Sequence, residues 1–529
     1  MAIRLSKKRR VWLLLCVASL TLMLLAATRW MRGTSGPQLH PSALTLHSRN
    51  AGAPIAWVRG QNQHTGYLRH VHEVLSFLGY TVVNYTDAEG LTQPWDLLWS
   101  HAYPFKELRP LMLRLQPHQR VNHFPGSGFI SNKVTLAESE LKSVPHAFRI
   151  PKDREKLLNY AKLNPAKLFV QKSNNHRGIA VKPLSELDLS AEGSFVQEFV
   201  HNPLLIDGHK FDIGLYVVLT SVRPLRVYIY WGDVLFRFCP EKYHPFDPAV
   251  KDKYVVGDDY MPTWKVSSLI PYYTLQGFGM KQSFDAWLRD QDKDPELVWK
   301  GVRDAISEVF YAKEDAIIGA VLNYKRRHNF FEMMRFDLIV DADLHVYLME
   351  ANMSPNLSSA HFKQNKLLYR QVVKHVLGVA TLPVNELMAA ARLRSEHLTK
   401  TDPSVAVNLE LSEDQQMNAA FKDVSVFPEH CATNCAGDAK GSSDSKGSDC
   451  DDVSCQLCQR CVSSELLQEL LRAHGEHQRR GMTRRLLPPP ITPPSAAHTP
   501  ANISHINPDN TLITEWFRGK CLLDDTFCS

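Results

Sequence analysis

"FFEMMRFDLIVDADLHVYLMEAN", Phe330 to Asn352, decides the fold. Two apolar runs are joined by a short polar stretch, which reads as two strands linked by a tight turn around Asp343 and Leu344. Residues i and i+2 of a strand share a face, so Glu350 and Asn352 point the same way at the end of the second strand. If the turn sets the register, Asp337 lies directly opposite Glu350, because the two are equidistant from the tip. Cross-strand neighbours have Cβ atoms roughly 5 Å apart, and like charges so placed repel. Something positive is therefore expected between them. Two carboxylates and an amide oxygen are hard ligands that suit Mg2+ completed by water and phosphate oxygens. The alternative is an exposed hairpin end with incidental acids, and the rest of the chain must decide.

The chain has 529 residues and 44% hydrophobic content, enough for two or three domains plus extensions. Its net charge of +6 sits at the start: Arg4, Lys7, Lys8, Arg9, Arg10, Arg29 and Arg32 precede residue 41 with no acid among them, and without these seven the balance becomes −1. A nearly neutral body has no overall electrostatic footprint for nucleic acid. The early charges flank "VWLLLCVASLTLMLLAAT", Val11 to Thr28, an uncharged run about as long as the shortest membrane-spanning helices. A cleavable signal has a shorter apolar region, and "AAT" before Arg29 is a poor cleavage site, so an uncleaved single-pass anchor is expected. Basic residues crowd its N-terminal side, which keeps the N-terminus cytosolic and puts the body in the lumen or outside.

Eight cysteines, Cys431, Cys435, Cys450, Cys455, Cys458, Cys461, Cys521 and Cys528, gather near the C-terminus. An even number permits four disulfides in an oxidising compartment. The run "CQLCQRC" has spacing that suits zinc equally well. Disulfides rank ahead, because the anchor supports them and the spacing fits no particular zinc module.

Basic segment 1–10 and anchor 11–28 lead into a stalk, 29–52. "APIAWVRG", "TVVNYT" and "WDLLWS" then read as strands and "TGYLRHVHEVLSFLGY" as an amphipathic helix, a small α/β domain over 53–120. Mixed strands and helices over 121–395 carry the motifs, and "MAAARLRSEHL" reads as a closing helix. The remainder, 396–529, is an irregular Cys-rich and Pro-rich extension, partly disordered, with one helix at "SSELLQELLRAH". "YKRRH", Tyr324 to His328, reads as a solvated charge run.

Within the larger domain, Lys133 follows a Gly-containing turn in "VNHFPGSGFISNKVTL" and opens a helix. "LFVQKSNNHRGIAV" delivers Lys172 on a strand beside a polar loop, one way of holding nucleotide phosphates, although an ordinary hairpin has the same pattern. Gln197, Glu198, Phe199 and Val200 end an apolar strand whose backbone can pair with an adenine edge. Lys210 and Asp212 share a face just ahead of a β-rich run. Arg237 follows a turn at Gly232 and Asp233, a fixed cation for a phosphate or carboxylate.

Taken in order, "NHFPG…K", "QEFVHNPLLIDGHKFD", "RFCPEKY", "FD" and "MEANMSPNL" resemble the tubulin–tyrosine ligase-like family of ATP-grasp amino-acid ligases, across roughly residues 54 to 380. The resemblance implies a mixed α/β ATP-grasp fold over 121–395, behind the small N-terminal α/β domain. It implies that Lys133 and Lys172 hold phosphates, with Lys172 also serving catalysis, and that Gln197 to Val200 line the adenine pocket. Lys210 and Asp212 would serve the nucleoside side, Arg237 the transferred phosphate, and Asp337, Glu350 and Asn352 a Mg2+ ion. ATP and Mg2+ are the implied cofactors. Free glutamate is the implied co-substrate and the acidic C-terminal tails of tubulin the implied acceptor, in the polyglutamylase branch.

Three departures accompany the resemblance. The family pattern Lys-Phe-Asp-x-Arg reads "KFDIG" here, with Gly214 at the arginine, and loss of a fixed phosphate-facing cation slows chemistry by orders of magnitude. The loop after Lys172 is one residue short, with His176 and Arg177 as candidates to compensate. "YMPTWKV" replaces the family's His-Leu-Thr-Asn-Tyr segment. Two readings of different class follow: an active membrane-anchored ligase, or a non-catalytic nucleotide-binding adaptor of the same fold. Tubulin is cytosolic, so a lumenal body implies another acceptor, and a tubulin substrate implies a cytosol-facing body.

Overall fold

The apolar runs become three sheets in the computed structural model, which describes residues 52–61, 64–173, 180–382, 421–435, 450, 455–491 and 507–529. The anchor, residues 29–51 of the stalk, His176 and Arg177, and "MAAARLRSEHL" lie outside the described residues. Among those described, no helix is long and apolar enough to cross a membrane.

The first sheet is parallel, with β1 (Ile55–Arg59), β2 (Thr81–Val83), β3 (Leu97–Ser100) and β4 (Arg120–Val121) in the order β2-β1-β3-β4. Helix α1 (Arg69–Phe77) covers it with His70, Val71, Val74 and Leu75, a stripe at helical spacing. This unit's core runs without a break into that of the largest sheet. After the short helix α2 (Lys133–Ala137), capped by Asn132, comes a small antiparallel sheet. Its strands β5 (Ala147–Ile150), β6 (Phe169–Ser173), β7 (Ala180–Lys182) and β8 (Ser194–Glu198) lie in the order β5-β8-β6-β7. Leu157 and Ala161 of α3 (Arg154–Leu163) pack against its Ile150, Phe169 and Val196.

The largest sheet is organised by one long strand. Strand β9 (Leu205–Ile206) leads into β10 (His209–Val222), followed by β11 (Leu225–Tyr230), β12 (Leu235–Phe238), β13 (Met261–Pro262), β14 (Glu332–Val340) and β15 (Val346–Asn352). One edge of β10 takes β12 beside residues 211–214 and β11 beside residues 217–222, while the other takes β14. From Ile213 onward every residue of β10 is buried, as in a strand covered on both faces. Helix α4 (Pro295–Val321) covers the face of Leu215 and Phe336, where Phe310 lies 5.9 Å from Phe336. Helix α5 (Asn365–Ala380) brings Tyr369 to the face of Tyr216.

The hairpin reaches the expected pairing by a different route. Val340 faces Val346 and the Asp341 amide donates to His345, so the tip centres on Asp343, with Leu344 at φ +67°. Leu338 opposes Leu348, and that register continued would set Met349 against Asp337. A bulge intervenes, and Asp337 pairs with Glu350. Since a one-residue slip reverses every face, the bulge is what turns Glu350 and Asn352 toward Asp337.

The described parts of the C-terminal extension, expected to be irregular apart from one helix, form helices and a strand. Strand β16 (Thr483–Leu487) adds to the outer edge of β11, covering it. Helices α6 (Ser464–Arg479) and α7 (Pro508–Leu523) share a core of Leu467, Leu470, Ile513, Trp516, Phe517 and Phe527. Cysteines pair as Cys431–Cys458, Cys435–Cys455, Cys450–Cys461 and Cys521–Cys528, so the "CQLCQRC" thiols reach three different partners and not one zinc ion. Arg226 of β11, fully buried, donates to Glu476 at 2.9 and 3.2 Å and to Glu469 at 3.0 Å, joining the extension to the sheet. Tyr228 and Thr220 also donate to Glu476. The "YKRRH" run is solvated at Lys325, Arg326 and Arg327, which are exposed, and half-buried only at Tyr324 and His328. Lys325 to His328 border a cleft of about 700 Å3 against the extension, and the His328 imidazole lies 3.0 Å from Glu469.

Removing one side of a buried ion pair leaves an uncompensated charge, which costs about 3–5 kcal/mol. Arg226→Leu is therefore expected to destabilise the protein by that amount in urea unfolding, and Arg226→Leu with Glu476→Leu to recover most of it.

Candidate active site

Four strands of the largest sheet present polar residues on one face. Asp212 pairs with Arg237 across β10 and β12, Gly214 with Asp337 across β10 and β14, and Asp337 with Glu350 and Arg335 with Asn352 across β14 and β15. The Arg237 guanidinium holds both oxygens of Asp212, at 2.8 and 2.7 Å, and reaches Asp337 Oδ2 at 3.0 Å. Arg335 holds both oxygens of Asp337, at 2.6 and 2.8 Å. Asn352 Nδ2 donates to Asp337 Oδ2 at 3.1 Å and to Glu350 Oε1 at 3.2 Å, standing between the two acids. Lys133 Nζ, from the first turn of α2, lies 2.7 Å from Glu350 Oε2. The segment leading to α2 is fixed on β14 through buried Glu332, which accepts from the Phe124 amide and contacts His123 at 3.0 Å.

The small sheet supplies the opposing groups. Lys172 Nζ donates to Gln197 Oε1 at 2.7 Å, and the Gln197 amide donates to the Pro145 carbonyl. Glu198 turns away: its carboxylate accepts from Tyr160 at 2.6 Å and pairs with Lys167, so it can serve the cleft through its backbone alone. The amides of Glu198 and Phe199 donate to His146 and Leu168, which moves any adenine contact toward the Val200 end of the run. The Phe199 ring packs with Phe246 and Tyr254 beneath Lys210, whose Nζ stands 5.3 Å from the ring centre and donates to the Tyr254 carbonyl.

Charge dominates the electrostatics here. Lys133, Lys172, Lys210, Arg237 and Arg335 outnumber Asp212, Asp337 and Glu350, so the cleft attracts polyanions. Burial pushes Lys172 down to about 8, with Glu350 opposing and Lys133 and Lys210 assisting. Lys210 is lowered as well, chiefly by burial. Burial alone would raise Asp337, but the Arg335 and Arg237 guanidinium groups outweigh it and hold the carboxyl at about 2.

The donor set fits Mg2+. Two carboxylates converge with an amide that touches both, and an amide turned by half a rotation presents oxygen where it now presents nitrogen. All twelve residues proposed from sequence fall on the two facing sheets, the segment just after β8 and helix α2, Glu198 being the one whose side chain points elsewhere. Arg335 was missed, although it lies within the opening stretch and shares a face with Asp337 at i, i+2.

A small sheet bearing Lys172, a larger one carrying Lys210 and the paired carboxylates, and Lys133 reaching in from α2 define the class, a mixed α/β protein with the layout of an ATP-grasp cleft. The profile of the tubulin-tyrosine ligase family matches residues 112–388. A probable tubulin polyglutamylase, ttll-15 of Caenorhabditis elegans, is 40% identical over 481 residues, 90% of this chain and 87% of its own. Tubulin monoglutamylase TTLL4 of Homo sapiens is 27% identical over 290 residues, 50% of this chain and 23% of that protein. Tubulin polyglutamylase TTLL5 of Mus musculus is 27% identical over 328 residues, 57% and 24% respectively. The chain belongs to the tubulin-tyrosine ligase family. A match over 90% of the chain necessarily enters the C-terminal extension, so the nematode relative shares part of it.

Protonated Lys172 is the form that attracts phosphate, and its charge is lost as pH rises through about 8. ATP affinity measured by calorimetry is expected to fall between pH 7 and 9. Lys172→Met should lose roughly 10- to 100-fold in affinity at pH 7, the worth of one charged hydrogen bond, and flatten that dependence.

Proposed function

We propose that this chain is an ATP-dependent carboxylate–amine ligase that adds glutamate to glutamate side chains of an acceptor protein, with the acidic C-terminal tails of tubulin as the first candidate acceptor. The observation that carries the reading is the convergence of Asp337, Glu350 and Asn352 beside Lys133 and Arg237 in a chain of this family. Relatives named as tubulin monoglutamylases and polyglutamylases support glutamate as the amino acid added.

In this reading Lys133 and Lys172 receive the ATP phosphates at the cleft between the sheets, and the end of β8 receives the adenine. Mg2+ held by Asp337, Glu350 and Asn352 would neutralise phosphate charge. Arg237, kept in place by both oxygens of Asp212, faces the γ-phosphoryl group as it leaves ADP and bonds to the acceptor carboxylate. The acylphosphate so formed is attacked by the free amine of glutamate. An amide bond forms and inorganic phosphate departs. Closure of the cleft protects the acylphosphate from water.

A second reading concerns the acceptor. Four disulfides persist in oxidising compartments, and an anchor at Val11–Thr28 with its basic flank would put the body on that side of a membrane. The acceptor would then be a lumenal or extracellular protein other than tubulin. Sealed vesicles treated with protease separate the two: protection of the C-terminal extension until detergent is added supports the lumenal reading, and digestion without detergent supports a cytosol-facing body.

For the activity, labelled glutamate supplied with Mg2+ and ATP should be incorporated by the parent chain and not by the Asp337→Ala, Glu350→Ala double variant. Equal incorporation by both would remove the ligase reading, and no incorporation by the parent would favour the non-catalytic adaptor. Arg237→Ala should lower kcat on the order of 100- to 1,000-fold, the loss typical of one transition-state donor.

A further inference from the structure

Gly214 stands at the centre of the polar face, between Leu235 of β12 and Asp337 of β14, and two residues from Asp212 on its own strand. Its neighbours on that face bear side chains, and the gap it leaves is occupied. Arg335 leans across from β14: a Cβ placed on Gly214 would stand 3.1 Å from Arg335 Cδ, tighter than ordinary contact, and 3.5 Å from its Nε. Beyond that crossing point the Arg335 guanidinium closes on both oxygens of Asp337.

We propose that Gly214 and Arg335 form one unit: the glycine opens the path along which a guanidinium from β14 reaches Asp337, and Arg335 is the positioning residue that holds this carboxylate for the metal. Its chemistry rests on the ligase reading above; its geometry does not. Asp337 faces Glu350 across the hairpin and needs a cation. Among the described residues Arg237 is the other guanidinium in reach, at 3.0 Å, but both oxygens of Asp212 already hold it. With Arg335 absent, Arg237 becomes the main counter-charge of Asp337 and is drawn from the phosphate side of the cleft. With Arg335 present, it holds both oxygens of Asp337, and Arg237, 3.0 Å from one of them, keeps both of its bonds to Asp212 and stays toward the phosphates. A planar fork can hold both oxygens of one carboxylate at once, which an ammonium cannot. Where the family resemblance expects an arginine at 214, this chain supplies a guanidinium from the adjoining strand, so the departure at Gly214 does not leave the site without its cation.

The test is a reciprocal exchange read by two measurements. Mn2+ binding in the presence of a non-hydrolysable ATP analogue is followed by calorimetry, and glutamate incorporation by the labelled assay. Arg335→Gly is expected to weaken Mn2+ binding roughly 10- to 100-fold, the usual cost of removing a group that orients a ligand, and to reduce kcat more than it changes KM for ATP. Gly214→Arg alone crowds Arg335 and should also lose activity. The double variant Gly214→Arg, Arg335→Gly returns a guanidinium to the same gap from β10 and should recover both readouts to within several-fold of the parent. Arg335→Lys keeps the charge without the fork and should still bind Mn2+ several-fold more weakly, which reads the claim if Arg335→Gly does not fold. Parent-like Mn2+ binding by Arg335→Gly or by Arg335→Lys, or a double variant no better than the poorer single, would overturn the proposal. A parent chain that binds Mn2+ and nucleotide yet incorporates no glutamate would remove the ligase reading and leave the pairing to be decided by the binding measurements.

Discussion

Asp337 and Glu350 face each other across a hairpin, and much of the site can be derived from the need to keep two negative charges there. Their repulsion must be offset by cations or by a metal. In the structure Arg335 and Arg237 take Asp337, Lys133 takes Glu350, and the Asn352 amide bridges the two. In the proposed ligase, the same acids that draw these cations would offer hard oxygen ligands to Mg2+. A pair of opposed carboxylates held this way is an expense that a purely structural hairpin would not need.

The fold serves that arrangement at several removes. A buried strand, β10, lines up Asp212 and Gly214 beside β12 and β14, which fixes the spacing of Arg237 and Asp337 to the pitch of a sheet. The bulge at Met349 gives β15 the one-residue shift that turns Glu350 and Asn352 inward. Farther along the sheet, the disulfide-bonded extension contributes β16 and closes the edge of β11 through the Arg226, Glu469 and Glu476 cluster. Because β10 and β11 are hydrogen-bonded neighbours, loosening that edge acts on the strand that carries the site. The extension is thus part of the domain's architecture.

The sequence carried much of this legibly, with instructive exceptions. Strand periodicity located the N-terminal βαβ unit and the hairpin, because apolar alternation is a local signal. The opposition of Asp337 and Glu350 was anticipated from a turn at Asp343 and Leu344, yet it arises from a tip at Asp343 corrected by a bulge; two offsets of one residue cancel. No local pattern announces such a bulge. Lys172 could be placed on a strand, but its approach to Glu350 from the other sheet has no local signal, and the family resemblance alone put the two in one site. Arg335 was legible in principle, since it alternates with Asp337, but an arginine beside an acid reads as a simple ion pair until the empty place at Gly214 is seen. In the extension the helix at "SSELLQELLRAH" and the preference for disulfides were legible, but the strand "TRRLL" is short and basic, and disulfide pairing cannot be deduced from spacing.

In the proposed ligase one divalent cation is held jointly by Asp337, Glu350 and Asn352. The most direct test is a crystal structure of the protein with Mn2+ and a non-hydrolysable ATP analogue, recorded for anomalous scattering from manganese. The account predicts a peak roughly 2.0–2.3 Å from oxygens of Asp337 and Glu350, with Asn352 Oδ1 turned toward it and phosphate oxygens completing the shell. A bound nucleotide with manganese elsewhere, and with Asp337 and Glu350 engaged only by Arg335, Arg237 and Lys133, would contradict it.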